Sequence, residues 1–184
     1  MQHGPANIYF LAATYSLLGA NISVERGVGF LYRALVLSLI FALVSRWNTA
    51  VAAACTALAG WILLLSQLAA HSWFGGVACI LGSFFLLVNP NSNARVFLGG
   101  LLGGAAVLYR VDLCPAVIIS AVPLFQLICR PRRLRYLAGF ALGLIPLILL
   151  VCLAGPQQML NNLFTRCFTP ARVVTYRFSQ STQM

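Results

Sequence analysis

Between residues 27 and 154 the chain is a succession of six apolar runs, and the one charged side chain inside any of them is Arg33. The runs cover 27–45, 48–70, 73–88, 96–108, 113–129 and 136–154. As a helix, about 20 apolar residues match the hydrocarbon thickness of a bilayer. In lipid every backbone N–H and C=O must be satisfied internally, which a helix does within one segment. Hydrophobic residues make up 61% of the chain and charged residues 8%, against about a quarter charged in soluble domains. Too little polar side chain remains to coat a globule, so a soluble enzyme and a disordered region are excluded. The expected fold is all-α: a polytopic membrane helix bundle of about six transmembrane helices, with interfacial helices near both ends.

Runs 73–88 and 96–108 are short. They are expected to be tilted, re-entrant or buried among neighbours. Pro115, Pro123 and Pro146 predict kinks. The earlier run, 8–19, is shorter still and is interrupted by Thr14 and Ser16. Pro5 suits the first turn of a helix there and Gly19 its C-terminal cap. This helix reads as lying along the membrane surface; a tilted span is the alternative. It is not a signal peptide, because no cation precedes it. After Gly155-Pro156, Met159, Leu160, Leu163, Phe164, Cys167 and Phe168 recur at helical spacing, opposite Gln157, Gln158, Asn161, Asn162 and Arg166. That pattern predicts a second interfacial helix, followed by a loose tail. The expected organisation is therefore 1–26 as an extracytoplasmic juxtamembrane helix, 27–154 as the bundle, and 155–184 as an extracytoplasmic amphipathic helix with its tail.

The net charge is +10, and all twelve cations are Arg. They sit between apolar runs and not on one soluble face, so lipid headgroups, not nucleic acid, are the expected partners. Arg130, Arg132, Arg133 and Arg135 form the densest basic loop, which the positive-inside rule places in the cytoplasm. Alternation then puts Arg46 and 89–95 inside. Glu25, Arg26, His71, Arg110 and Asp112 fall outside.

Gly99, Gly100, Gly103 and Gly104 make two overlapping GxxxG patterns, and Gly139 with Gly143 makes a third. Small residues four apart let helix backbones approach closely in lipid. Runs 96–108 and 136–154 are expected to touch tightly, with homodimerisation through the same faces as the alternative. The six cysteines form no CxxC pair and read as buried small hydrophobes. Cys and His never cluster, so no metal and no cofactor are expected.

Chemistry has few carriers here. Glu25 and Asp112 are the only acids in the chain. Arg110-Val111-Asp112 interrupts two apolar stretches; it reads either as an ordinary helix boundary or as a site where Arg110 grips a lipid phosphate bidentately and Asp112 holds Arg110 or an acceptor. Arg33 lies two helical turns after Arg26 on the same face, and should face the bundle interior or snorkel outward. Arg26, Arg33, Arg110 and Asp112 are the candidate lipid-phosphate site; no catalytic residue is assigned. Walker, GxGxxG, HExxH and GxSxG motifs are absent.

Several stretches together resemble polytopic membrane glycosyltransferases of the GT-C class, in particular aminoarabinose transferases of lipid A and protein O-mannosyltransferases. They are His3-Gly4-Pro5 with its aromatic-rich helix, Leu18-Gly19-Ala20-Asn21, and Glu25-Arg26-Gly27 leading into a span. A second set is Phe97 to Gly103, Tyr109-Arg110-Val111-Asp112-Leu113, the basic Arg130–Arg135 stretch and Ala138-Gly139-Phe140. The resemblance implies a multi-pass protein of a bacterial plasma membrane. It also implies a sugar donor carried on polyprenyl phosphate at the outer face.

In that class the catalytic acid precedes the His/Gly-Pro entry, and no acid precedes Glu25 here. The chain is therefore expected to be a glycosyltransferase-like fragment, truncated at both ends and inactive alone. A non-catalytic membrane subunit and a transporter-like bundle stay open as alternatives.

Overall fold

The computed structural model describes residues 5–65, 71–90, 92–110, 113–127 and 130–154. All described secondary structure is helical. In order the helices are α1 (Pro5–Leu18), α2 (Ile22–Val44), α3 (Thr49–Leu64), α4 (Ser72–Leu87), α5 (Asn93–Tyr109), α6 (Cys114–Leu127) and α7 (Arg130–Ala154). The chain divides into two units, Met1–Leu147 and Ile148–Met184. Of the second, only the last turns of α7 are described. The amphipathic pattern after Gly155, with Arg166, and the residues His3 and Asp112 lie outside the described residues.

The helix boundaries follow local chemistry. Gly19 takes φ +84°, the left-handed conformation that glycine adopts without a Cβ penalty, and its N–H donates to the Tyr15 carbonyl. Two residues later Asn21 caps α2, its side chain accepting from the Ser23 N–H at 3.1 Å. Asn48 caps α3 in the same way through the Ala50 and Val51 N–H groups, and Ser92 caps α5 through Arg95. Two boundaries differ from the apolar runs. The first helix of the bundle starts at Ile22, so Glu25 and Arg26 lie in its first turns and not before them. The arginines from Arg130 to Arg135 are the opening of α7 and not a loop. In both cases backbone hydrogen bonding carries the helix past the apolar stretch, and Arg is a good helix former. Pro131 sits in the first turn of α7 and Pro115 in that of α6, where a missing N–H leaves no bond unmade. Pro115 thus opens a helix and does not kink one, and α7 continues through Pro146.

Helix directions can be read from side-chain pairs. Leu87 packs at Gly99, Leu102 at Gly82, and the Tyr109 ring lies over Gly75, so α4 and α5 form an antiparallel hairpin. Arg33 meets Phe74, Leu39 approaches Gly82, and Arg46 meets Phe85, so α2 and α4 run parallel. Helices α5 and α7 also run parallel and approach backbone to backbone. A Cβ added at Gly100 would collide with the Tyr136 carbonyl, and one at Gly139 with the Phe97 carbonyl. At Gly104 and Gly143 the would-be Cβ atoms meet backbone at 2.5 and 2.6 Å. The expected contact between the two glycine-rich helices is therefore present, with Gly100 and Gly104 against Gly139 and Gly143.

By length and composition α2 is the one described helix able to cross a membrane alone; α3, α4 and α5 are apolar but shorter. Its 23 residues span about 34 Å. Val28, Gly29, Tyr32, Arg33 and Val36 form its buried stripe. Helix α3 buries only Ala52, leaving Leu58, Trp61 and Leu64 more than 60% exposed. Cys55 and Cys152 lie exposed on helix surfaces, contrary to the expectation that the cysteines are buried; Cys79 and Cys114 are half-buried.

Candidate functional site

The two ends of the bundle differ in their polar chemistry. At one end α1, α2, α4 and α5 converge. Asn7 of α1 is fully buried although its neighbours Ile8 and Tyr9 are exposed. Burial of a lone amide requires a partner, and the Tyr32 hydroxyl donates to Asn7 Oδ1 at 3.2 Å. The Tyr32 and Tyr109 hydroxyls stand 3.4 Å apart, with the two rings edge-to-face at 5.9 Å. Phe10 closes over Tyr32 at 5.7 Å. The Tyr109 ring can lie against α4 because residue 75 is glycine.

Arg33, next to Tyr32, is 6% exposed. Its guanidinium lies 4.8 Å from the centre of the Phe74 ring, a cation–π arrangement. Its Nη1 donates to the Gly29 carbonyl one turn back at 3.2 Å, so the side chain both faces the interior and reaches toward the start of α2. Arg110 is the C-cap of α5. Its extended backbone donates to Ala106 and accepts from the Leu113 N–H, turning the chain into α6. The Tyr32–Tyr109 contact brings together the two segments that bear Arg33 and Arg110. Arg26 stands exposed near the start of α2, two turns before Arg33. Asp112, the fourth predicted residue, lies outside the described residues.

Below the tyrosine pair runs a cleft of about 350 Å³ between α2, α4 and α5. Tyr32 and Tyr109 form one end, Leu39, Phe85 and Leu86 the other, with Gly75, Ala78 and Gly82 among its lining. From Gly75 to Leu86 it extends about 16 Å along α4, close to one leaflet of a ~30 Å hydrocarbon core. Apart from the tyrosine hydroxyls and the Cys79 thiol its lining is apolar.

At the opposite end, Arg46 lies 4.8 Å over the Phe85 ring and donates to the Phe85 carbonyl at 3.3 Å. Arg132 of α7 donates to the Pro90 carbonyl. These contacts gather the α2–α3 connection, Pro90 and the start of α7 at one end.

Sequence reasoning selects Arg33 and Arg110 but misses Asn7, Tyr32, Phe74 and Tyr109. One signal was present: Asn7 is the only amide side chain in α1. Tyr32 and Phe74, within apolar runs, look like any core aromatic. No family model, no curated protein and no solved structure matches this chain.

Proposed function

We propose that the chain is a multi-pass bacterial plasma-membrane protein, similar to GT-C glycosyltransferases. In this reading the end built from Asn7, Tyr32, Arg33 and Tyr109 opens to the outer leaflet and holds the phosphate of a polyprenyl-linked sugar. The observation that carries this reading is that buried Arg33 follows, on the same helix, the Tyr32 that with Tyr109 forms one end of an apolar cleft. An anionic amphiphile needs that pairing: fixed donors for the phosphate and an oily channel for the chain. Bilayer placement is supported by α3 and by the exposed apolar faces of α1 and α7, which water would penalise.

The parallel pairs α2/α4 and α5/α7, with α4 and α5 antiparallel, fit successive crossings with α3 and α6 between them. Sugar transfer also needs a base for the acceptor hydroxyl. Glu25, in the first turn of α2, is the one acid among the described residues. The role supported for this chain is therefore donor binding, and turnover by it alone is expected to be undetectable. The protein in phosphatidylcholine nanodiscs should bind a polyprenyl-phosphate sugar saturably. Binding should weaken about tenfold in both Arg33→Gln and Arg110→Ala, as expected for losing one charge-assisted contact each. Unchanged binding in both variants would refute the site. The same geometry without a sugar preference describes a lipid-binding subunit, which tighter binding of the polyprenyl-phosphate sugar than of phosphatidylglycerol would exclude.

A further inference from the structure

Beside the contact of α5 with α7 lies a small cavity of about 10 Å³, lined from α4, α5, α6 and α7. Three hydroxyl groups meet there: Ser83, Ser120 and Tyr136. Ser120 is the one hydroxyl side chain of α6, and Tyr136 is the one in α7. Ser83 is the one in α4 after its opening residue. Three apolar helices thus bring their scarce hydroxyls to a single point. Ser83 and Tyr136 are buried there, at 5% and 3% exposure. Ile80, Phe84 and Val117 supply apolar walls.

The Tyr136 ring is fixed by Phe125, edge-on at 5.4 Å, and by Phe140, stacked at 6.4 Å. Its hydroxyl reaches Gly103, where an added Cβ would stand 3.2 Å from the oxygen. Gly103 therefore makes room for a hydroxyl, whereas Gly100 and Gly104 make room for a helix backbone. Ser83 is a hydrogen-bond partner of the Tyr136 hydroxyl. Ser120 Oγ donates back to the Val117 carbonyl at 2.9 Å. A hydroxyl offers one donor and two lone pairs, so each of the three keeps capacity for a further partner. Inside an apolar bundle such capacity is costly to leave unused. The available space decides what can use it. One water needs roughly 10–15 Å³ and two to four polar partners. The cavity offers room of that size and three hydroxyls, and it is too small for a longer ligand.

We infer that this cavity is a binding site for one structural water, shared by Ser83, Ser120 and Tyr136, that ties α4, α6 and α7 together. The inference is independent of the lipid-phosphate reading and of which way the bundle faces. It gives α6 a directional tie beside its apolar contacts through Val117 and Phe125. A fully satisfied buried polar network selects one arrangement where apolar packing alone admits several.

The full chain in phosphatidylcholine nanodiscs, imaged at a resolution that shows ordered water, tests this. A density peak should lie within about 2.5–3.0 Å of the three hydroxyl oxygens. No peak there, with other buried waters visible, would overturn the inference. So would a peak at about 2.0–2.6 Å from a fuller shell of oxygens, which marks a divalent cation. Energetics give an independent readout. Among the described residues no hydrogen bond joins Ser83 directly to Ser120, so coupling between them must run through a shared partner, which the density identifies. Ser83→Ala and Ser120→Ala should each lower the folding equilibrium constant. The double variant should lose about fivefold less than the product of the two. Losses that simply multiply would show independent hydroxyls and overturn the inference. Where a variant does not fold, the density of the unaltered chain decides alone.

Discussion

The hydroxyl of Tyr32 lies 3.4 Å from that of Tyr109, joining helices separated by 77 positions in sequence. The same Tyr32 hydroxyl donates to the buried Asn7 amide, so Tyr32 is the hinge of this polar end and Tyr109 its outer member. The two phenylalanine variants should differ. Tyr32→Phe removes the donor to a buried acceptor and should lower stability by about 1–2 kcal/mol. Tyr109→Phe gives up only a long contact and should lower it by less than about 1 kcal/mol. Unfolding in detergent, followed by tryptophan fluorescence, measures both; the reverse order would contradict the hydrogen-bond assignment.

Glycines separate into those that packing requires and those it does not. Gly100→Ala and Gly139→Ala place a methyl group against backbone of the facing helix, which cannot yield as a flexible side chain does. Each should destabilise by about 1–3 kcal/mol or drive α5 and α7 apart. Gly27, also helical, has nothing within 4 Å of an added Cβ. Gly27→Ala should be neutral, or stabilising by up to about 1 kcal/mol through helix propensity. Thermal unfolding of the three variants in one detergent tests this, and equal losses would contradict it.

Arg33 and Phe74 should be energetically coupled. A double-mutant cycle with Arg33→Gln and Phe74→Leu is expected to give a coupling of about 1 kcal/mol, within the range for a desolvated cation–π pair. Arg33→Lys should retain part of it, because an ammonium keeps the charge but loses the flat guanidinium stack. A coupling indistinguishable from zero would show that the arginine is held by other contacts.

Much of the fold was legible from residues whose chemistry is local. Gly19, Asn48 and Gly155-Pro156 punctuate apolar runs, and at the first two, helices end or begin where the sequence predicts. The contact of Gly100 and Gly104 with Gly139 and Gly143 was also legible, because only small residues at that spacing permit such an approach. The start of α2 was not, since its apolar stretch begins later than its hydrogen bonding. Nor was the start of α7: four arginines look like a loop by charge and like a helix by propensity. At the polar end Arg33 stood out as a lone charge in an apolar run. Its partner Phe74 did not, because which aromatic a buried cation meets depends on how α2 and α4 pack, a long-range relation that periodicity does not encode.

The most direct test of an outward-facing lipid-phosphate end is two-sided labelling of single cysteines in intact cells. The six native cysteines are first replaced. Ala20→Cys, in the exposed connection between α1 and α2, and Asn89→Cys, exposed after α4, then report the two ends of the bundle. A membrane-impermeant maleimide applied outside should label Ala20→Cys and leave Asn89→Cys unlabelled until the membrane is opened. Labelling of Asn89→Cys from outside with Ala20→Cys protected, or of both from one side, would contradict an outer-leaflet site at Tyr32, Arg33 and Tyr109.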